Sequence, residues 1–210
     1  MNTSKITLKY ALLLGLIALL CTAISTGVYL LTKERIDAVT AEQQRQYLLE
    51  VVPKEHFDND LLATCKVANL PEAPHLNRIY VAKKGQETTA YALQGTAPDG
   101  YSGDIVLLMG MEPNGTVLGV RTLQHKETPG LGDKIETRIS DWILSFTGKV
   151  FSLENESQWA VKKDGGQFDQ FTGATITPRA VVNNVRENAK WLITELVKKP
   201  ELVDQLEACK

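Results

Sequence analysis

Residues 104–124 read DIVLLMGMEPNGTVLGVRTLQ: an apolar run, a Pro-Asn-Gly turn, and a second run rich in β-formers. Ile, Val, Leu and Met before the turn and Val, Leu and Thr after it suit extended backbone, and residues 113–115 supply the chemistry that reverses it. Gly115 takes a positive φ without steric penalty, and asparagine tolerates that region better than most residues, so the reversal rests on backbone sterics. The stretch is a hairpin, with strands over 104–111 and 116–124.

Upstream, Pro71, Pro74, Gly85, Gly95 and Pro98 punctuate residues 54–98, and the apolar pieces at 78–82 and 89–94 suit strands that begin the sheet. Downstream, SDWILSF at 140–146 reads as a short helix with Ser140 as N-cap, 158–161 as a strand, and a further helix is expected to start near Asp133. From Thr177-Pro178, a cap followed by a proline at the first helical position, an amphipathic helix runs to residue 197 with Val181, Val185, Ala189, Leu192 and Leu196 on one stripe. Trp142, Trp159 and Trp191 are expected in the core. Strands and helices without βαβ alternation or internal repeats make this an α+β fold.

Residues 10–31, YALLLGLIALLCTAISTGVYLL, carry no charge and would form about 33 Å of helix, the thickness of a bilayer core. A signal peptide is the competing reading, with Lys5 and Lys9 as its basic region and Ala23, Ser25 and Gly27 as small residues. Its apolar region is usually only ~7–15 residues, however, and here the run continues through residues 28–31. A retained anchor is therefore expected. Lys5 and Lys9 balance Lys33 and Arg35 in the positive-inside count, and the short N-terminal tail favours a cytoplasmic N-terminus. The expected division is a cytoplasmic tail over 1–9, a transmembrane helix over 10–31, and an amphipathic linker helix over 32–53 that ends at Pro53. An accessory part over 54–98, a ligand-binding domain over 99–197 and a C-terminal tail over 198–210 complete it.

A formal net charge of -2 gives no basic footprint for nucleic acid. Cys21, Cys65 and Cys209 have no metal-ligand spacing, so neither zinc nor an iron–sulfur cluster is expected. Cys21 reads as an inert residue of the apolar run. Cys65 and Cys209 both lie beyond the span, where an oxidising compartment would allow them to pair; sequence separation leaves that pairing open.

The candidate chemistry precedes the last helix, in DQFTGATITP at 169–178. Gly173 and Ala174 leave space around Thr175, and a helix N-terminus offers unpaired N–H groups and partial positive charge to a phosphate that a threonine could also hold as an ester. On the residues alone, Thr172, Thr175 and Thr177 serve equally as turn and capping residues. HKETPGLG at 125–132 suits a wall for a flat ring, because Pro129, Gly130 and Gly132 let backbone approach while Leu131 covers an apolar part; it also reads as an ordinary Gly/Pro loop. His125 and Glu127 could each hydrogen-bond such a ring or titrate as it is reduced, and read equally as a solvated surface pair, so neither is assigned a catalytic role; Tyr101 is a packing residue or a stacking one.

The spacing D-x-x-T-G-A-T, from Asp169 to Thr175, resembles the acceptor motif of the FMN-binding domain family, in which a transferase attaches FMN through its phosphate to the final threonine. GYSG at 100–103 and HKETPGLG at 125–132 resemble two further family segments, in the family's order. Within that family, the chain resembles the G subunits of Rnf/Rsx-type ion-translocating electron transport complexes, relatives of the C subunit of sodium-pumping quinone reductases. The resemblance implies FMN held covalently on Thr175, flanked by Gly173, Ala174 and Thr177. It places Glu127, Thr128, Gly130, Leu131, Gly132 and Tyr101 around the ring. It further implies a redox-carrier subunit without a complete active site of its own, partnered by other membrane subunits and by an FMN transferase during maturation. The complex would couple electron transfer of the ferredoxin/NAD type to ion movement, with this domain on the periplasmic side of the inner membrane. The chain itself has no GxGxxG fingerprint for NADH. Two rivals stand beside this reading: a flavin- or ligand-sensing membrane protein without redox turnover, and a single-pass scaffold in which the GAT segment is only a helix cap.

Overall fold

The computed structural model describes residues 3–209, which fall into two units, the first ending at Gln43 and the second beginning at Gln44. The helix α1, Thr3–Val51, runs without interruption, because no glycine or proline occurs from residue 28 to residue 52 and Pro53 then denies the next turn its donor. Span and linker, expected as two helices, are thus one. In the first unit the apolar side chains of the 10–31 stretch, among them Leu12, Leu14, Leu19 and Leu30, are exposed, and the helix is long and apolar enough to cross a membrane. The hydroxyls of Thr22 and Thr32 turn back onto the carbonyls of Ala18 and Val28, both at 2.8 Å, so these polar groups need no water.

The second unit is built on a five-stranded antiparallel meander in sequence order: β1 Lys66–Val67, β2 Leu76–Lys84, β3 Glu87–Ala97, β4 Ile105–Met111 and β5 Val117–Gln124. The expected hairpin is β4–β5. Its loop, residues 113–115, is closed by Glu112 N–H on the Thr116 carbonyl at 2.9 Å and by Gly115 N–H on the Glu112 carbonyl at 3.0 Å. Gly115 alone in the loop takes a positive φ, 97°; Asn114 instead accepts from Thr116 N–H at 2.8 Å. The strands expected at 78–82 and 89–94 extend further in both directions as β2 and β3, and they pair in the same sheet as β4 and β5.

Both faces of the sheet are covered. On the front face Leu76, Ile79, Leu93, Leu107 and Met109 pack with helix α2, Ile176–Trp191, and with an aromatic group made of Phe146, Phe151, Trp159 and Phe168. On the back face Ala82, Ala90, Ala92 and Leu108 meet Leu48, Val51 and Val52 of the end of α1 and its exit. The contact there is backbone on backbone: a Cβ on Gly110 would stand 1.9 Å from the Val51 carbonyl oxygen, and one on its cross-strand partner Gly119 3.0 Å from that of Glu50. Arg121 on β5 pairs with Glu50 at 2.6 Å. Along the edge strand β1, Val67 N–H donates to the Glu207 carbonyl at 2.8 Å, and a disulfide joins Cys65 to Cys209, Cα atoms 5.4 Å apart. The 198–210 stretch, expected as a tail, thereby covers the sheet's open edge among its described residues, and it includes a 3-10 turn at Pro200–Gln205.

Four sequence expectations for the region after β5 need correction. Residues 158–161 are not a strand; a 3-10 turn at Glu156–Gln158 leads to a single parallel bridge between Val161 and Phe168, which sets the fully buried Trp159 among the aromatic rings. The helix expected near Asp133 is a 3-10 turn, Asp133–Ile135, and the one at 140–146 is 3-10 over Asp141–Phe146, with Ser140 accepting from Trp142 N–H at 3.2 Å as expected of its cap. The last helix begins one residue before its expected cap: Thr175 is the N-cap and Thr177 lies inside. Pro178 is therefore in the third helical position, where a missing N–H costs nothing because the first four have no intrahelical partner. Past Trp191 the chain continues as a π-helical turn, Leu192–Leu196.

Candidate functional site

Three connections converge at one end of the sheet: the β3–β4 loop, the segment leaving β5, and the turn that starts α2. Their meeting point is the carboxylate of Glu127. The residue is 5% exposed; its Oε1 accepts from Ser102 N–H at 3.1 Å and its Oε2 from the Thr177 hydroxyl at 2.6 Å. Burial of a carboxylate is unfavourable unless donors surround it, and here two segments distant in sequence supply them. A Cβ on Gly132 would lie 2.6 Å from Glu127 Oε2, and one on Gly100 2.9 Å from Oε1, so glycine in both motifs makes room for the same carboxylate. Of the two readings open for His125 and Glu127, the solvated surface pair does not hold. His125 is also largely enclosed: its Nδ1 accepts from Glu127 N–H at 3.0 Å, which leaves the proton on Nε2, 2.5 Å from Glu136 Oε1. The Arg138 guanidinium first, and His125 after it, hold the Glu136 carboxyl down at about 2, against the opposing effect of its partial burial.

Beside Glu127 lies a cavity of about 310 Å³, at the small end of the ~300–1,000 Å³ usual for ligand sites. Glu127, Thr128, Leu131 and Gly132 line one wall, Gly173 to Thr177 the other, and Tyr101 the rim. Tyr101 is 68% exposed, so it is no packing residue. Of the residues that the resemblance sets on the linkage and around the ring, Gly130 alone is outside the lining; its φ of 78° turns the chain so that Leu131 and Gly132 N–H both reach the Thr128 carbonyl at 3.1 Å. Ile176, 43% exposed, lines the cavity and was not anticipated; nothing but its place after Thr175 marks it.

The three threonines separate cleanly. Thr172 is exposed on the turn, and the Thr177 hydroxyl is buried and committed to Glu127. Thr175 is half-buried, stands at the N-cap of α2 without a capping hydrogen bond, and lines the cavity. The tight turn before it, with Gly173 at φ 81° and Ala174 N–H on the Phe171 carbonyl at 3.2 Å, is braced by Trp142. That indole stands 5.1 Å from the Phe171 ring and donates to the Asp169 carbonyl at 2.8 Å. Asp169 keeps its side chain outside the cavity, paired with Lys162 at 2.5 Å. A free hydroxyl at the start of a sixteen-residue helix, facing a recess walled by glycine and leucine, suits a phosphoester with a flat ring beyond it.

A larger cleft, about 490 Å³, lies between residues 72–75 and the second half of α2 and is rimmed by Glu72, His75, Glu187 and Lys190. Among the described residues none of its charged side chains is buried; convergent polar groups, not size, distinguish the Glu127–Thr175 cavity. Among the described residues no group of three or more His, Cys, Asp or Glu side chains is placed to hold a metal ion.

Residues 100–190 match the model of the FMN-binding domain, and residues 1–51 that of the RnfG N-terminal region. The chain is similar to the G subunit of the ion-translocating oxidoreductase complex of Haemophilus influenzae strain 86-028NP, 55% identical over 98% of this chain and 100% of that one. The corresponding G subunit of Pasteurella multocida strain Pm70 is 57% identical over 93% and 98%. That of Escherichia coli O157:H7 is 47% identical over 96% of each. Among solved structures, Shewanella oneidensis NqrC aligns with a TM-score of 0.44 at 19% identity, over 75% of this chain and 73% of that one.

Proposed function

The chain belongs to the G-subunit family of ion-translocating oxidoreductase complexes, and we propose that it serves such a complex as an electron relay carrying FMN covalently on Thr175. The observation that carries the proposal is the hydroxyl of Thr175. It is the threonine of the 172–177 turn that is both unspent and at the cavity, inside the segment matched to the FMN-binding domain. FMN supplies one- and two-electron chemistry, and the protein's part is to hold it, tune it and limit side reactions. The phosphate would sit at the start of α2, where the free N–H groups of Ile176 and Thr177 favour an anion. Leu131, Gly132 and Gly173 would bound the ring, and Tyr101 and Ile176 would leave its outer edge accessible to a redox partner. Glu127, Thr128 and Ala174 complete the wall, while Gly130 shapes it from outside.

Membership in a multi-subunit complex implies the other membrane subunits as partners, and the linkage implies an FMN transferase that modifies Thr175, making the chain a phosphoprotein. The family favours this relay over a ligand sensor. Electrons of the ferredoxin/NAD type would pass through the assembled complex, not through this chain alone. We place residues 10–31 across the bacterial inner membrane, residues 1–9 in the cytoplasm, 32–53 as the linking helix and the rest, including the FMN-binding domain over 99–197, in the periplasm. The Cys65–Cys209 disulfide supports that side, since such bonds persist in oxidising compartments. The test is acid precipitation of protein purified from its native membrane: flavin fluorescence should stay with the pellet and vanish in Thr175→Ala. Flavin released to the supernatant from the unsubstituted protein would refute a covalent tether.

A further inference from the structure

Glu127 does more than staple three loops together. Ser102 N–H can only donate, and the Thr177 hydroxyl lies 2.6 Å from the other oxygen, the separation of an O–H bonded to an ionised carboxylate. The residue is 5% exposed, so water screens it poorly. Among the described residues no Lys, Arg or His side chain lines the cavity, and the His125 imidazole is engaged by the Glu127 backbone N–H and the Glu136 carboxylate. Among its lining side chains the wall therefore carries one carboxylate and no cation, and two hydrogen bonds from segments distant in sequence fix its place.

We propose that Glu127 sets the reduction potential of the flavin: its carboxylate is a fixed negative charge in the cavity wall that opposes the arrival of electrons and holds the potential low. The inference rests on the FMN reading above. It assigns Glu127 an electrostatic role separate from its packing role, because both hydrogen bonds can survive loss of the charge. In Glu127→Gln the amide oxygen still accepts from Ser102 N–H, and the amide nitrogen donates to a Thr177 hydroxyl that now accepts. A low potential would suit a relay that passes electrons onward instead of retaining them.

The test is an anaerobic redox titration of the flavin-loaded, full-length protein in detergent, followed by visible absorbance. Glu127→Gln should raise the midpoint, shifting the reduced-to-oxidised ratio at the original midpoint by roughly tenfold or more, about 30 mV for a two-electron couple. Thr128→Lys provides a second route that leaves both Glu127 hydrogen bonds in place and sets a cation beside the carboxylate from an exposed position; it should raise the midpoint as well. Thermal unfolding of flavin-free Thr175→Ala protein, with and without Glu127→Gln, reads the packing role separately. A lower melting temperature with an unchanged midpoint would show that Glu127 is a staple only and overturn the proposal, as would an unchanged midpoint in Thr128→Lys. Unsubstituted protein without any flavin would instead overturn the FMN reading, and this inference with it.

Discussion

The two faces of the sheet solve the same problem by opposite means. The front face is filled by volume: Trp159, Phe146, Phe151 and Phe168 are all buried to 1% exposure or less, and their rings lie 4.3–6.3 Å apart where they meet. The back face is filled by proximity: alanines and two paired glycines let the end of α1 lie on the strands themselves. The site is at the edge of the front face, and the difference explains its support. Irregular loops can be held rigid when large rings fix them, and the ring series runs from Trp159 through Phe146 and Trp142 to Phe171, two residues before Gly173 of the proposed acceptor turn. The back face contributes a firm mount for the sheet, and among the described residues its buried cluster includes none that line the cavity.

Emptying the front face should have the largest effect. Trp159→Ala leaves a cavity at the centre of the ring cluster and should cost ~4 kcal/mol, read by thermal unfolding with circular dichroism in detergent. It should also lower the fraction of folded protein that carries flavin, since the acceptor turn loses its brace. Gly110→Ala attacks the other face by overpacking against the Val51 carbonyl and should cost ~3 kcal/mol, yet the protein that remains folded should carry flavin at the unsubstituted level. Equal loss of flavin in both variants would erase the distinction between the faces. Reducing the Cys65–Cys209 disulfide, which closes a separation of 144 residues, should cost ~2–4 kcal/mol and free the segment beyond Val203 first, an order that hydrogen exchange can follow.

The smallest effect belongs to the Glu136 cluster behind the cavity. Its folded carboxyl titrates at about 2, below the ordinary 4.5, so its contribution is present above the higher value and is lost as pH falls toward the lower one. Glu136→Gln should therefore flatten the acid limb of stability between those values and lower stability at neutral pH as well, where the ionised carboxylate's pairing with Arg138 and His125 is fully present. An acid limb of unchanged slope would show that Glu136 has no part in it.

Legibility in the sequence followed the source of order. The β4–β5 hairpin and α2 were readable because turn chemistry and a 3.6-residue stripe are local signals, and the 169–178 segment stood out because its motif is contiguous. Residues 133–171 were not, since their order comes from rings packing across distant turns, which leaves no period. The burial of Glu127 was likewise invisible: a charged residue in a Gly/Pro segment is ordinarily solvated, and its two donors come from segments 25 and 50 residues away. Thr177 illustrates the same limit, since Thr-Pro before an apolar stripe looks like a cap until the carboxylate that claims its hydroxyl is in view. The pairing of Cys65 with Cys209 depended on the C-terminal segment returning to the edge strand, which no spacing reveals.

The most direct measurement is the intact mass of the chain purified from its native membrane, compared with that of Thr175→Ala and followed by peptide mapping. A covalent relay requires a gain of one dehydrated FMN, ~438 Da, located on the peptide containing Thr175 and absent from the variant. An unmodified mass in both, or a flavin located on Thr172 or Thr177, would contradict it.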